Sequence, residues 1–305
     1  MNMVNLNCIC GKNVCLSDKQ IIVSVPCNHI FHKNCVQNIG CPFCNSDVYI
    51  VNHNNNMFVQ KFIDNLSLTK YENTNIIIHR ILFNIPKILD ILLKRIFMKT
   101  IDDVVSLNRK ILSLSRIKIT IDGLDNLEKI HGNRIYIANH SSYLDSFVLF
   151  DMLRTGFVSN SATSNNIFMK KIYQIVPNVL VKRSYSGSNT VDKIKNHVEK
   201  YGSVCIFPEG RITHPQTLIS FRTGAFTAGF PIIPIVITYN NCIADYSYIK
   251  FMLKLASNHK TDVQIYVLEP EYPPFDNIKI NHIRNKMAER GNLFLATTTN
   301  RDIKD

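Results

Sequence analysis

The chain has 305 residues, 46% of them hydrophobic and 19% charged, with only 11 Gly and 11 Pro. That excludes a collagen-like or disordered protein and is long enough for two domains. Lys and Arg number 35 against 23 Asp and Glu, a formal charge of +12 that points to an anionic partner: nucleic acid, a membrane surface or a phosphorylated substrate.

Residues 1–50 hold seven of the nine cysteines, between Cys8 and Cys44. The first residues carry neither a basic start nor an apolar run, so an intracellular metal site is expected rather than a disulfide scaffold. From Cys27 the order is Cys27-x-His29-x2-His32-x2-Cys35-x5-Cys41-x2-Cys44. Thiolate and imidazole are the ligands Zn²⁺ prefers, and the two residues inside Cys41-Pro42-Phe43-Cys44 let both sulfurs face one ion. The order resembles a RING finger of the two-histidine type. That resemblance implies two structural zinc ions at interleaved sites, Cys10, Cys15, His32 and Cys35 at one and Cys27, His29, Cys41 and Cys44 at the other, with Cys8 an alternative to Cys10. A strand is expected over Ile21–Val25. RING fingers usually recruit a ubiquitin-conjugating enzyme through an apolar groove, where Val14, Pro42 and Phe43 would stand. Asn45 replaces the Arg often found after the last cysteine, and the first knuckle departs from the usual spacing.

An Asn-rich stretch over residues 51–56 reads as a linker, and residues 57–116 as a helical, apolar and basic segment. Between Met57 and Lys118 there are 11 Lys and Arg against 5 Asp and Glu. Within it, Ile76–Met98 is interrupted by Arg80, Lys87, Asp90, Lys94 and Arg95, too many charges for a membrane span. On a helix, His79, Arg80, Asn84, Lys87, Asp90, Lys94 and Arg95 fall on one side and Ile, Leu and Phe dominate the other, although Phe83, Ile91 and Phe97 intrude. This predicts an amphipathic helix, kinked near Pro86, suited to lie on a lipid surface or to pack on its own domain.

Residues 117–305 alternate short β-branched runs with helical stretches, which predicts an α/β domain around a sheet. The runs are Ile117–Ile121, Arg134–Ala138, Val179–Lys182, Ser203–Phe207, Ile232–Tyr239 and Asp262–Leu268. The second ends in Asn139-His140-Ser141-Ser142-Tyr143-Leu144-Asp145. A His at a strand end with an Asp five residues on suits a general base and the group that fixes its tautomer. The fourth runs into Phe207-Pro208-Glu209-Gly210-Arg211, followed by Phe221-Arg222-Thr223-Gly224-Ala225-Phe226 and Pro231-Ile232-Ile233-Pro234. Cys205, in the apolar run before Phe207, is expected to be an inert strand residue rather than a nucleophile.

The Asn-His-x4-Asp and Phe-Pro-Glu-Gly blocks, with Val181-Lys182-Arg183-Ser184 between them, resemble the glycerolipid acyltransferase family, and among its branches the lysophosphatidylcholine and glycerol-3-phosphate acyltransferases. The likeness runs from about Ile117 to Ala288. It implies an acyltransferase-type sheet with flanking helices, acyl-CoA as co-substrate and a lysophospholipid or glycerophosphate as acceptor. It also implies His140 as base, Asp145 as its orienter, and Arg183, Phe207, Glu209, Gly210 and Arg211 at the substrate pocket. The family usually has Thr where Arg211 stands, so the acceptor's head group is left open. The expectation is therefore an acyltransferase at the cytosolic face of an intracellular membrane. The alternative is a RING-type ubiquitin ligase tethered to lipid by a degenerate acyltransferase domain. Nucleic-acid binding rests on charge alone and is not expected.

Overall fold

The computed structural model describes residues 86–300, except 88, 166–168, 183–187, 246, 259 and 297, together with five short strands ahead of them. Of those, β1 (Leu6–Asn7) pairs antiparallel with β2 (Asn13–Val14). Strand β3 (Ile21–Ser24) lies between β4 (Ile30–His32) and β5 (Val48–Val51), antiparallel to both, and falls within the strand predicted there. Of the expected zinc ligands, Cys10, Cys15, Cys27, His29, Cys35, Cys41 and Cys44 lie outside the described residues, and His32 enters only through its backbone in β4. The alternative ligand Cys8 is outside them as well.

Helix α1 (89–97) leads into α2 (Ile101–Leu114). The break between them is set by Thr100, whose hydroxyl accepts from the N–H of Asp103 while the Asp103 carboxylate accepts from the N–H groups of Thr100 and Lys99. This reciprocal cap satisfies donors that a helix start would leave open. Residues 76–85 of the predicted amphipathic helix lie outside the described residues.

The main sheet is built from β6 (Ile117–Asp122), β7 (Arg134–Ala138), β10 (Ser203–Ile206), β12 (Ile232–Tyr239) and β13 (Thr261–Val267), in the order β10-β7-β12-β13-β6. Strands β10, β7 and β12 run parallel, and β13 is antiparallel to β12 and parallel to β6. The helices that follow α2 are α3 (Leu144–Leu153), α4 (Lys170–Ile175), α5 (Ser188–Tyr201), α6 (Gly224–Thr227), α7 (Tyr248–Ser257) and α8 (Asn277–Gly291). The predicted bounds of the second and fifth runs match β7 and β12, the first, third and fourth are off by one residue at one end, and the sixth is shifted by one residue at both ends of β13. Strand β9 (Val179–Val181), however, does not join the main sheet directly. It pairs with β8 (Val158–Asn160), and a single parallel bridge from Phe157 to Cys205 connects that pair to β10. A further small pair, β11 (Thr217–Leu218) and β14 (Phe294–Leu295), was not foreseen.

The sheet is buried on both faces at β10, β7 and β12, while β13 is half-buried on one face and the edge strand β6 is largely exposed. Alternation along β7 sends Tyr136 and Ala138 to one side and Ile135 and Ile137 to the other. The first side is covered by α2, α3 and α7, with Val104, Leu107, Leu149, Phe150 and Phe251 in the core. The second is covered by α5, α6 and α8, with Ile194, Val198, Phe226, Ile283 and Met287. Helix α2, expected as part of a separate segment ending at residue 116, thus shares one hydrophobic cluster with the sheet.

Candidate active site

Parallel strands β7 and β10 end on the same edge of the sheet, the place where α/β folds gather ligands. The chain leaves β7 at Asn139, whose side chain acts as one more rung of the ladder. Its amide donates to the carbonyl of Ile237 (2.9 Å) and accepts from the Ile237 N–H (2.7 Å). His140 comes next, and the turn back into α3 brings Asp145 beneath it. His140 Nδ1 lies 2.8 Å from Asp145 Oδ2. The same oxygen accepts from the N–H groups of Ser141 (2.6 Å) and Ser142 (2.9 Å), and Oδ1 accepts from the Tyr239 hydroxyl. Asp145 is 0% exposed and His140 17%. The four donors around this buried carboxylate replace the water it gives up.

The imidazole is held in two further ways. Phe207, at the end of β10, stacks on its face with centroids 4.0 Å apart and planes 12° from parallel, and Phe157 stacks behind Phe207. The His140 backbone N–H donates to Glu209 Oε1 (2.8 Å), and the N–H of Thr213 donates to the His140 carbonyl (2.8 Å). Among the described residues Nε2 of His140 has no partner, so one ring nitrogen is oriented and the other is open.

Glu209 is 0% exposed. Besides His140 it accepts from the Thr213 hydroxyl (2.9 Å) and the Ile219 N–H (3.1 Å), both on Oε2. Burial pushes its carboxyl up to about 7, against those three donors and the positive charge of Arg284. Arg284, itself nearly buried, donates to the carbonyls of Leu218, Ile219 and Ala296 and keeps the loop under Glu209 in place. Glu209 therefore shapes the pocket by tying the His140 turn to the loop over residues 209–219; its carboxylate does not open to solvent.

Gly210 has φ +72°, a conformation that glycine adopts without strain. A Cβ there would also stand 2.8 Å from Cδ of Arg222 and 3.0 Å from Nδ2 of Asn300. Arg222 is exposed and lies across Gly210, and its guanidinium has no partner among the described residues. Arg211 follows Gly210 in the same loop. Arg183 lies outside the described residues. Cys205 is fully buried in β10, where burial and then the Asp145 charge push its thiol far up, which makes it inert. Among the described residues no group of three or more His, Cys, Asp or Glu could hold a metal ion.

Next to Phe157 is an apolar cavity of about 80 Å³ between α2, α3 and α4, lined by Leu107, Ile111, Phe147, Phe150 and Ile172 among others. Helix α1 lies alongside. Its Asp90 pairs with Lys110 and its Lys94 donates to Ser106 (3.3 Å), both on α2. Leu89, Leu92, Leu93, Ile96 and Phe97 are exposed, Phe97 to 70%. The sequence pattern places Asp90 and Lys94 on the polar arc of the helix. The structure turns them toward α2 and leaves these large apolar side chains outside. No helix among the described residues is long and apolar enough to cross a membrane.

Residues 118–238 match the family model described as Acyltransferase. The chain is 28% identical over 179 residues to lysophospholipid acyltransferase LPEAT1 of Arabidopsis thaliana, covering 52% of this chain and 45% of that protein. It is 29% identical over 171 residues to lysophosphatidylcholine acyltransferase 1 of Homo sapiens, covering 50% and 32%. Over 117 residues it is 32% identical to the 1-acyl-sn-glycerol-3-phosphate acyltransferase of Escherichia coli, covering 35% and 48%. The chain thus spans a third to a half of the length of these relatives. The crystal structure of the 1-acyl-sn-glycerophosphate acyltransferase PlsC from Thermotoga maritima overlays with a TM-score of 0.47 at 15% identity, covering 66% of this chain and 86% of that one.

Proposed function

We propose that this chain transfers an acyl group from acyl-CoA to the hydroxyl of a lysophospholipid or glycerophosphate, on the cytosolic face of an intracellular membrane. One observation carries the reading. His140 is aimed by a buried carboxylate at 2.8 Å, clamped by an aromatic face, and open at Nε2. The match of residues 118–238 to the acyltransferase family and the names of the relatives support the reaction class.

In this mechanism Nε2 of His140 removes the acceptor's hydroxyl proton as the oxygen attacks the thioester carbon. The C–S bond then breaks, and the departing thiolate takes the proton back from the imidazolium. Asp145 holds Nδ1–H and stabilises the transient positive charge. A positioned base contributes roughly 10²–10⁴-fold. No covalent acyl-enzyme is needed. Arg183, Arg211 and Arg222 supply cations for the acceptor's phosphate. Gly210 lets that phosphate approach the backbone. The apolar cavity lined by Phe157, whose ring stacks on Phe207, offers space to part of the acyl chain.

The exposed side chains of α1 supply membrane contact: burying a Leu side chain is worth roughly 1.5–3 kcal/mol. For residues 1–50 the ligand order, and the pairing of β3 between β4 and β5, support two structural zinc ions; metal analysis should return two per chain. Thiolate ligands require a reducing compartment, which supports the cytosolic side.

The test is release of CoA and formation of diacyl product by the purified chain, with acyl-CoA and a panel of lysophospholipids and glycerophosphates. Transfer to at least one acceptor, lost in His140→Ala, is expected. A folded chain that acylates none of them overturns the reading.

A further inference from the structure

The carboxylate of Asp145 has two edges, and the base–orienter pair uses only one. Oδ2 takes His140 Nδ1 and the N–H groups of Ser141 and Ser142, all from the turn that Asp145 itself closes. The terminal torsion of an Asp side chain is broad, so donors on a single oxygen leave the carboxylate plane weakly fixed. Oδ1 is met from a different element, by the hydroxyl of Tyr239 at the end of β12.

The position of that hydroxyl follows from the sheet. Asn139, the residue before His140, exchanges two hydrogen bonds with the backbone of Ile237. Tyr239 is two residues further along β12 and on the same face, the side where Ile237 and Tyr239 both pack against the α2–α3–α7 cluster. The clamp that places His140 therefore also sets the reach of Tyr239 to Asp145.

We propose that Tyr239 is a positioning residue for acyl transfer: its hydroxyl fixes the plane of Asp145 and withdraws part of the negative charge that Asp145 presents to His140. This rests on the reading of His140 as the base. Without the hydroxyl, the carboxylate keeps more charge on the side of His140, so the imidazole holds its proton more tightly and is deprotonated only at higher pH.

Other charged and titratable groups surround the pair among the described residues. Glu209 reaches His140 through its backbone N–H from the loop after β10. Cys205 of β10 and Cys242 of the loop after β12 lie within the field of Asp145, and burial keeps both thiols neutral. Among the described residues, the Asp245–Lys254 ion pair (2.9 Å) adds a lysine charge that reaches Cys242, and Arg211 and Arg222 stand at Gly210, next to Glu209. Glu209, which burial pushes up to about 7, is the one among these neighbours that titrates in the working range.

The experiment is the pH profile of kcat/KM for acyl transfer, from pH 5 to 9, for wild type and Tyr239→Phe, with melting curves of both. The expected result is a fall in kcat of about 3–10-fold with KM nearly unchanged, and an acidic limb moved to higher pH by about half a unit. The limb shift should persist in a Glu209→Gln background. If Tyr239→Phe fails to fold, 3-fluorotyrosine placed at position 239, a stronger donor, should move the limb to lower pH. An unmoved limb in both, with activity lost only in proportion to folded protein, would mean that Tyr239 serves packing alone. If His140→Ala retains wild-type activity, the base assignment itself fails, whatever Tyr239 does.

Discussion

The turn that carries His140 and the helix α1 depart from ordinary burial in opposite directions. At the turn, charged and polar groups are buried: Asp145 and Glu209 are each 0% exposed, and Arg284 lies close under the second. On α1, large apolar side chains face outward while Asp90 and Lys94 turn toward a neighbouring helix. Burying a charge costs several kcal/mol unless donors replace water. Here seven donors serve the two carboxylates. Exposing apolar surface is likewise unfavourable in water and is retained where that surface meets something apolar. In the first region every carboxylate oxygen is served, and His140 Nε2 and the Ser141 hydroxyl are left without a partner among the described residues. The other presents apolar surface that, under the proposed function, a lipid layer would cover.

The largest expected effect breaks the first region at its open nitrogen. His140→Ala should lower acyl transfer by roughly 10²–10⁴-fold with the native fold kept, at a modestly lowered melting temperature, because loss of the ring also takes away one of the four donors on Asp145 and the face stacked on Phe207. Asp145→Asn should cost less in rate but more in stability. Its one oxygen cannot serve both sets of donors, and a buried donor left facing an NH₂ costs about 1–3 kcal/mol. Activity and thermal unfolding of the two variants side by side separate the base from its orienter.

Replacing Leu89 and Leu92 with Asp tests the second region. Both side chains are about half exposed, so the melting temperature should hold while flotation with anionic vesicles is lost. Two leucines at roughly 1.5–3 kcal/mol each predict a weakening of 10²-fold or more. High salt should weaken vesicle binding of the wild type only in part, since screening leaves the apolar contribution intact.

A smaller effect reads the buried Glu209 through pH. Its carboxyl lies near 7 when folded and near 4.5 when unfolded, so between those values the native state holds more protons. Its contribution to stability is present below about pH 4.5 and is lost as pH rises through about 7. The span is on the order of 3 kcal/mol at most. The wild-type melting temperature should therefore fall more steeply over this range than that of Glu209→Gln.

Much of this was legible in the sequence. Strand β7 is an Ile- and Tyr-containing run between Asn133 and Asn139, and β12 an Ile-rich run between Pro231 and Asn240, so their limits could be read directly. The pairing of His140 with Asp145 needs only a strand end and one turn of chain. Tyr239, Asn139, Thr213 and Arg284 could not be recognised in the same way. Their partners lie on other elements, brought near by sheet register, and no local pattern encodes which residue of β12 faces Asp145. The orientation of α1 stayed open for a related reason: helical periodicity separates two faces, but which one turns inward is settled by Lys110 and Ser106 on α2.

The division of labour between the two regions can be measured in one assay, with Leu89→Asp/Leu92→Asp and wild type given the same lysophospholipid in two forms. One form is embedded in anionic vesicles; the other is a short-chain analogue kept monomeric in water. The account predicts that the variant loses turnover on vesicles and keeps wild-type turnover on the monomeric acceptor. Equal loss on both forms, or no loss on either, would contradict it.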